Sequence, residues 1–167
     1  MQDGRVTLAL LDLPNGPVEL ARATAADLDA LVALIADDAI ARSRGDSADA
    51  GLGAAYADAF AAIDRDRAQL LVVGRAGEQV VATMQLSFIP GLSRQGATRL
   101  QIEAVRVADS QRGSGLGSAM IRWALDEGRR RGAALAQLTS DSARPEAHTF
   151  YERLGFAATH VGFKQQL

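Results

Sequence analysis

Three alternating glycines near the middle of the chain form the pattern best suited to chemistry. Gly113, Gly115 and Gly117 separate a β-branched run ending at Val107 from a helical repeat that starts near Ser118. Glycine lets the backbone turn tightly and approach a ligand with no Cβ in the way. The first N–H groups of the following helix have no intrahelical acceptor, and the helix dipole adds positive charge there. The spacing therefore predicts an anion site suited to a pyrophosphate.

The pattern differs from two common kinds of phosphate site. A dinucleotide site would need G-x-G-x-x-G and a later acidic residue, and a triphosphate loop would need Gly-Lys followed by Ser or Thr. Neither is present, and residues 112–117 instead have the form Q/R-x-x-G-x-G/A. A second motif lies downstream, where residues 147–156 end in F-Y-E-x-x-G-F.

In this order, the two motifs resemble those of the GNAT superfamily of acyl-CoA-dependent N-acetyltransferases. The resemblance implies acetyl-CoA as co-substrate, with its pyrophosphate on the glycine loop and its pantetheine arm along the preceding strand. The residues carried over as cofactor-binding are Val105, Arg106, Val107, Arg112, Gly113, Ser114, Gly115, Leu116, Gly117 and Ser118.

The strand before the loop changes the face on which its apolar residues lie. They occupy even positions up to Ala104 and odd positions from Val105, whereas a regular strand keeps one parity per face. The change predicts a β-bulge between Glu103 and Val105, unless the strand is buried on both faces. An unpaired N–H in a bulge can stabilise the negative charge that develops on an acyl oxygen. The resemblance implies this role for an amide of residues 105–107.

Two side chains are candidates for proton transfer. An alkylamine is mostly protonated near pH 7, so a base is useful, and Glu103 lies where some members of the resembled family place one. The alternative is that Glu103 pairs with Arg99 or Arg106 on a half-exposed strand. Tyr151 matches the family's tyrosine that protonates the departing thiolate. It also belongs to a core stripe of its helix, and the two interpretations are compatible.

Other polar residues receive structural interpretations. Arg144 replaces an asparagine common in the resembled family, and we expect it exposed at a helix start; a contact to a coenzyme phosphate is the alternative. Residues 129–131 are three arginines, interpreted as a solvated helix end rather than a 3′-phosphate site. His148 and His160 have no clustered carboxylates, so no metal site is expected.

Hydrophobic spacing indicates the elements that position these residues. From Val18 the predicted order is strand, two helices, three strands, helix, strand, helix, strand, a mixed α/β arrangement. The resemblance implies a single domain with a mostly antiparallel sheet flanked by helices and a bulged central strand, over residues 18–167. Residues 1–17 are expected to be an extension or an extra strand. The predicted strands cover residues 18–22, 69–73, 79–89, 97–107, 133–139 and 160–165, and the predicted helices begin near Thr24, Leu52, Ser118 and Ser142.

Composition excludes other classes. The formal net charge is −2, so no nucleic-acid or anionic-membrane partner is expected. No apolar run approaches the ~20 residues of a membrane span, and the N-terminus lacks a leader pattern. With no cysteine the chain has neither disulfides nor a cysteine nucleophile, which fits the cytoplasm. We expect a soluble, cytoplasmic protein.

The predicted function is transfer of an acetyl group from acetyl-CoA to a primary amine by direct attack in a ternary complex, without a metal. The acceptor, a small molecule or a peptide, stays open. In the resembled family the connection between the first two helices covers it, so residues 40–56 are either a specificity element or a surface loop. A homodimer is expected, since dimers are frequent in that family. The alternatives are a non-catalytic acyl-CoA-binding sensor or interaction module, and a different nucleotide-binding enzyme.

Overall fold

Two strands, two helices, three strands, a helix, a strand and a helix follow one another along the described chain. The computed structural model describes residues 5–37 and 53–166. In this part of the chain the strands are β1 (Thr7–Leu11), β2 (Val18–Arg22), β3 (Gln69–Ala76), β4 (Gln79–Pro90), β5 (Thr98–Val107) and β6 (Ala133–Leu138). The longer helices are α1 (Leu28–Ala36), α2 (Gly53–Arg65), α3 (Leu116–Arg130) and α4 (Pro145–Arg153). Short helical segments lie at Ala25–Asp27 and Asp109–Gln111, and Ser93–Gly96 is a turn with Arg94 and Gln95 in the left-handed region.

One mixed sheet organises these elements. Its strands lie in the order β1-β2-β3-β4-β5-β6. Neighbours are antiparallel except β5 and β6, which are parallel. A parallel pair needs a crossover connection, and α3 provides it. The predicted fold class, a mixed α/β domain with a mostly antiparallel sheet flanked by helices, is confirmed.

The larger core lies between one face of the sheet and α3. Leu116 and Met120 of α3 are fully buried and pack with Met84 and Leu100 of the sheet. Burying side chains of this size stabilises the fold by about 1.5–3 kcal/mol each. Gly128 allows the helix to approach β5 closely, because a Cβ there would lie 2.9 Å from Leu100 Cδ2. This packing fixes α3 against the central strands.

The opposite face of the sheet carries α1 and α2. Leu31 of α1 and Phe60 of α2 pack with Val73 of β3 in a second, smaller cluster. Helices therefore cover both faces, and the central strands β3, β4 and β5 are held between two layers.

A buried ion pair joins the α1 layer to the sheet. Asp27 accepts hydrogen bonds from the Thr24 backbone N–H at 2.8 Å and from the Thr24 hydroxyl at 2.9 Å, which confirms the helix start predicted there. Its other carboxylate oxygen pairs with the guanidinium of Arg75, and both residues are buried. Arg75 also donates to the carbonyl oxygen of Glu78 at 3.0 Å. The pair therefore ties the start of the helical layer to the β3–β4 hairpin.

The structure refines several of the predicted elements. Residues 1–17, expected to be an extension or an extra strand, contain strand β1, and α3 begins two residues earlier than predicted. The strand predicted at residues 160–165 is wrong, because this segment has no regular structure and pairs with no described strand. Val161 and Phe163 suit a strand in composition, but they are 80% and 93% exposed, and an extended segment needs a partner for its backbone groups. Most of the connection at residues 40–56 lies outside the described residues.

Candidate active site

The glycine loop runs from the end of β5 into α3. Gly113 and Gly115 have φ values of +76° and +86°, a region that favours glycine. A Cβ added at either position would meet no protein atom within 4 Å. The loop therefore needs these glycines for backbone conformation, and its outer surface is open.

The start of α3 presents main-chain donors. Ser114 is buried; its hydroxyl donates to the Gln111 carbonyl oxygen at 2.7 Å and accepts from the Leu116 N–H at 3.3 Å. The first intrahelical acceptor is the Gly115 carbonyl oxygen, which takes the Ala119 N–H at 3.0 Å. The N–H groups of the first turn, at Gly117 and Ser118, have no intrahelical acceptor. The Ser114 hydroxyl thus braces the loop, while these amides and the helix dipole suit an anion.

Arg112 is on the rim of the loop. Its guanidinium lies 2.7 Å from the Asp109 carboxylate, and the two side chains are 72% and 69% exposed. Exposed pairs of this kind are weak because solvent screens them. Arg112 can therefore turn from Asp109 to another anion at little cost.

The predicted bulge in β5 is confirmed. Thr83 of β4 lies opposite Arg106 and Gln85 lies opposite Glu103, with a register shift between them. Two residues of β5, Ala104 and Val105, thus face the single residue between Thr83 and Gln85. Ala104 has a φ of +51°, which is uncommon for a residue with a Cβ. Such conformations cluster at functional sites.

The bulge lies where β5 loses a neighbour. β6 pairs with β5 only as far as Leu138, opposite Ile102, whereas β5 continues to Val107. No described strand pairs with residues 103–107 on the side away from β4. We call this stretch the open edge of β5. It leads directly into the glycine loop, so bulge, open edge and loop form one continuous surface.

Tyr151 of α4 lies close to this surface. Phe150, the preceding residue, packs near the loop, since a Cβ on Gly117 would lie 3.5 Å from its ring. The Tyr151 ring meets Phe150 and Phe156 edge-on, with centroids 5.0 and 5.9 Å apart. Burial raises the pKa of the Tyr151 phenol, and the charges of Arg106 and Arg144 partly lower it. The phenol is therefore neutral and half-buried, and the positive charges of Arg106 and Arg144 act on it.

The Glu103 side chain lies on the face of β5 that points away from α3. It is exposed, opposite Gln85 and two residues from Gln101, whose side chain accepts a hydrogen bond from Gln137 at 2.6 Å. Neighbouring Ile102 points into the core against α3, so Glu103 faces away from that core. The structure thus brings the loop, the open edge and Tyr151 together. Glu103 is the first residue of the open edge, and its side chain is on the face of β5 away from the core with α3.

Sequence reasoning missed the side chains of Arg106 and Arg144. Arg144 starts α4 as predicted, and its carbonyl oxygen accepts the N–H groups of Ala147 and His148. It is half-buried rather than exposed, with its charge near Tyr151. The parity change in β5 indicates that Arg106 leaves the core face. No sequence signal places either guanidinium beside a tyrosine on α4.

The arginines at residues 129–131 are held by their own helix. Glu127, only 7% exposed, lies 2.7 Å from an Arg130 nitrogen and 2.6 Å from an Arg131 nitrogen, and Asp126 lies 2.6 Å from Arg129. The guanidinium of Arg131 also stacks 4.5 Å from the centre of the Phe88 ring. These contacts agree with the structural interpretation of this helix end.

The described ranges, residues 5–37 and 53–166, contain neither a cluster of candidate metal ligands nor a membrane-spanning helix. Within these ranges no group of three or more His, Cys, Asp or Glu side chains could hold a metal ion. In the same part of the chain, none of the helices combines the length and apolar character needed to cross a bilayer.

The sequence matches a known protein family over most of its length. The family model described as "Acetyltransferase (GNAT) family" matches residues 36–156, a range that contains the loop, the bulge and Tyr151. Aminoalkylphosphonate N-acetyltransferase of Salmonella typhimurium (strain LT2) is 36% identical over 67 residues, which are 40% of this chain and 44% of that enzyme. The match therefore spans less than half of the relative's length.

Solved structures share the fold over nearly the whole chain. One, described as a transcriptional regulator from Bacillus halodurans C-125, is 40% identical, with a TM-score of 0.86, over 90% of this chain and 99% of that chain. An acetyltransferase from Trypanosoma brucei is 25% identical, with a TM-score of 0.73, over 90% and 99% of the two chains.

Proposed function

The chain belongs to the GNAT acetyltransferase family, and from this premise we propose that it moves the acetyl group of acetyl-CoA to a primary amine by direct attack in a ternary complex. The observation that carries the proposal is the continuity of three features. A glycine loop at a helix start, an open strand edge with a bulge, and a neutral tyrosine lie along one surface.

The loop has the features that a pyrophosphate needs. Main-chain N–H groups at the start of α3 would bind its oxygens, with the Arg112 guanidinium as a mobile counter-charge. The open edge of β5 would then pair with the amide groups of the pantetheine arm, as a strand pairs with a peptide. In this arrangement the thioester would reach the bulge.

The chemistry forms one C–N bond and breaks one C–S bond. The amine nitrogen attacks the thioester carbonyl carbon, and a bulge amide of residues 105–107 stabilises the negative charge on the acyl oxygen. One amine proton leaves to Glu103, directly or through water, and the phenol of Tyr151 gives a proton to the departing thiolate. The products are an N-acetyl amine and coenzyme A.

The acceptor is proposed only as a class, a small-molecule or peptide primary amine. The partial match to an aminoalkylphosphonate N-acetyltransferase makes short aminoalkyl compounds the first to test. Much of the connection expected to cover the acceptor, residues 40–56, lies outside the described residues.

Ser118→Asp offers a test that separates ligand binding from folding. Ser118 lies in the first turn of α3, where an acidic side chain stabilises a helix by about 0.3–1 kcal/mol, so the variant should keep or raise the thermal midpoint of the free protein. If a pyrophosphate binds at this helix start, the added negative charge should repel it and weaken coenzyme A binding by about tenfold or more, or roughly 1.4 kcal/mol. Gly117→Ala is the matched control: its Cβ would point at the Phe150 ring at 3.5 Å, and the motif has glycine or alanine at this position, so coenzyme A affinity should stay close to that of wild type.

The measurements are thermal shift and calorimetry with coenzyme A, and thiol release from acetyl-CoA with a panel containing 2-aminoethylphosphonate, ethanolamine, glucosamine and a short peptide. Wild-type protein at millimolar acetyl-CoA should show a clear rise in thermal midpoint. Absence of any rise would refute the proposal. Equal coenzyme A affinity of Ser118→Asp and wild type would remove the loop from the site.

A second candidate follows from the relative described as a transcriptional regulator. A non-catalytic sensor would bind the coenzyme through the same loop and need neither acid nor base. It predicts binding without thiol release against the whole amine panel. Thiol release with any amine of the panel, together with slower release by Tyr151→Phe, would favour the enzyme over the sensor.

A further inference from the structure

The side chain of Arg106 has no role in the acyl transfer proposed above, which uses only its main chain. Arg106 follows the bulge on β5, directly opposite Thr83, and belongs to the open edge. It is half-buried. A permanent positive charge is therefore fixed beside the surface that would receive the thioester.

The guanidinium of Arg106 folds back onto the bulge. Its Nη1 donates a hydrogen bond to the carbonyl oxygen of Val105 at 2.9 Å. The C=O of Val105 and the N–H of Arg106 belong to one planar peptide, so a contact that holds the oxygen also holds that plane. Ala104, just before, is in the left-handed region, a conformation that persists only where the surroundings enforce it.

The same charge is close to Tyr151. Burial raises the pKa of the phenol, and the Arg106 charge is the larger of two that lower it, ahead of Arg144. A positive charge that favours an anion at the phenol also favours an anion on a sulfur atom nearby. The Arg106 guanidinium thus contacts the backbone of the bulge, and its charge acts on the acid that acyl transfer would use.

We propose that Arg106 is a positioning residue for acyl transfer, whose guanidinium holds the Val105–Arg106 peptide plane in the ladder with β4 and so keeps the bulge in the conformation that presents a neighbouring N–H to the acyl oxygen. The inference rests on the proposed function. It predicts that loss of the guanidinium impairs the chemical step far more than coenzyme binding, because the glycine loop is unchanged.

The test uses acetyl-dethia-CoA, a ketone analogue in which CH₂ replaces the thioester sulfur, labelled with ¹³C at the carbonyl. On binding to wild type the carbonyl resonance should move downfield, as a hydrogen-bonded carbonyl is polarised. Arg106→Met should lose most of this shift, and Arg106→Lys should keep more of it. With acetyl-CoA and the best amine of the panel, kcat of Arg106→Met should fall by about 10–100-fold, with KM for acetyl-CoA within about threefold.

Arg99→Met is the matched control, since Arg99 is an exposed arginine of the same strand outside the proposed site; it should behave as wild type. Failure of wild type to bind coenzyme A would overturn the proposed function and this inference together. Normal coenzyme A binding with an unchanged ¹³C shift and kcat in Arg106→Met would overturn the inference alone. If Arg106→Met does not fold, Arg106→Gln and Arg106→Lys replace it, and wild-type values in both would count against the positioning role.

Discussion

Burial and nearby positive charges shift the pKa of the Tyr151 phenol in opposite directions. Its ring lies between Phe150 and Phe156, and burial there raises the pKa of the phenol, while the charges of Arg106 and Arg144 oppose the rise. The net direction is upward. The phenol therefore keeps its proton through neutral pH, which suits a proton donor and not a base.

We expect Tyr151→Phe to lower kcat for acetyl transfer by about 100-fold, because a general acid typically contributes 10²–10⁴-fold. KM for acetyl-CoA should stay within about threefold, since the ring contacts are kept. Steady-state thiol release measures both values. Thr149→Val, which removes an exposed hydroxyl from the same helix, should leave both unchanged; a similar loss in the two variants would point to the helix and not to the phenol.

The raised pKa of Tyr151 also determines the direction in which stability changes at alkaline pH. Below about pH 10, the ordinary value for tyrosine, the phenol is neutral in the folded and unfolded chains and adds no pH dependence. Above it the unfolded chain loses its proton first, so stability falls as the pH rises toward the folded pKa. Tyr151→Phe should therefore show a smaller alkaline decline in thermal midpoint than wild type.

β5 shows what a sequence can and cannot specify about an element. The parity change at Ala104 located the bulge, because Ile102 and Val105 must both face the core. No pattern in the sequence predicts that the pairing of β5 with β6 ends at Ile102, because this end depends on where β6 stops and where α4 packs. Residues 160–165 are a second example. Their alternating apolar residues favour an extended segment, but the sequence does not indicate which strand it would pair with. Local pattern thus predicted the loop and the bulge, whereas the grouping of Arg106 and Arg144 around Tyr151 required the tertiary structure.

The left-handed conformation of Ala104 makes a prediction about the strand. Ala104→Val should lower the free energy of unfolding by about 1–2 kcal/mol, because a Cβ is disfavoured at this φ and a β-branched side chain more so. Ala104→Gly should be neutral or stabilising by up to about 1 kcal/mol. Urea unfolding measures both. Ala134→Val, at an exposed position of β6, should change stability by less than about 0.5 kcal/mol; equal effects of the two valines would contradict the assigned backbone.

At the scale of the whole molecule, one ionic contact holds two layers together. Asp27 caps the first helical segment and pairs with Arg75 on β3, with both side chains buried. Removing one partner of a buried pair leaves an uncompensated charge. The attachment of α1 to the sheet therefore depends on both residues.

Asp27→Ala should lower the free energy of unfolding by about 3–5 kcal/mol, as is typical of breaking a buried pair. The double variant Asp27→Ala with Arg75→Met should recover part of this loss, because the unpaired guanidinium is then gone. Urea unfolding of both variants checks the coupling. Additive losses in the double variant would show that the two side chains do not interact.

An exposed strand edge in the middle of a sheet is a template on which other chains can add strands and aggregate. The open edge of β5 is such a template, but the extra residue at Ala104 breaks the even spacing that an incoming β-strand would need. A flexible ligand can follow the irregular spacing where a regular ladder cannot. One departure from regular pairing would thus admit the proposed small molecule while disfavouring the addition of a second copy of the chain.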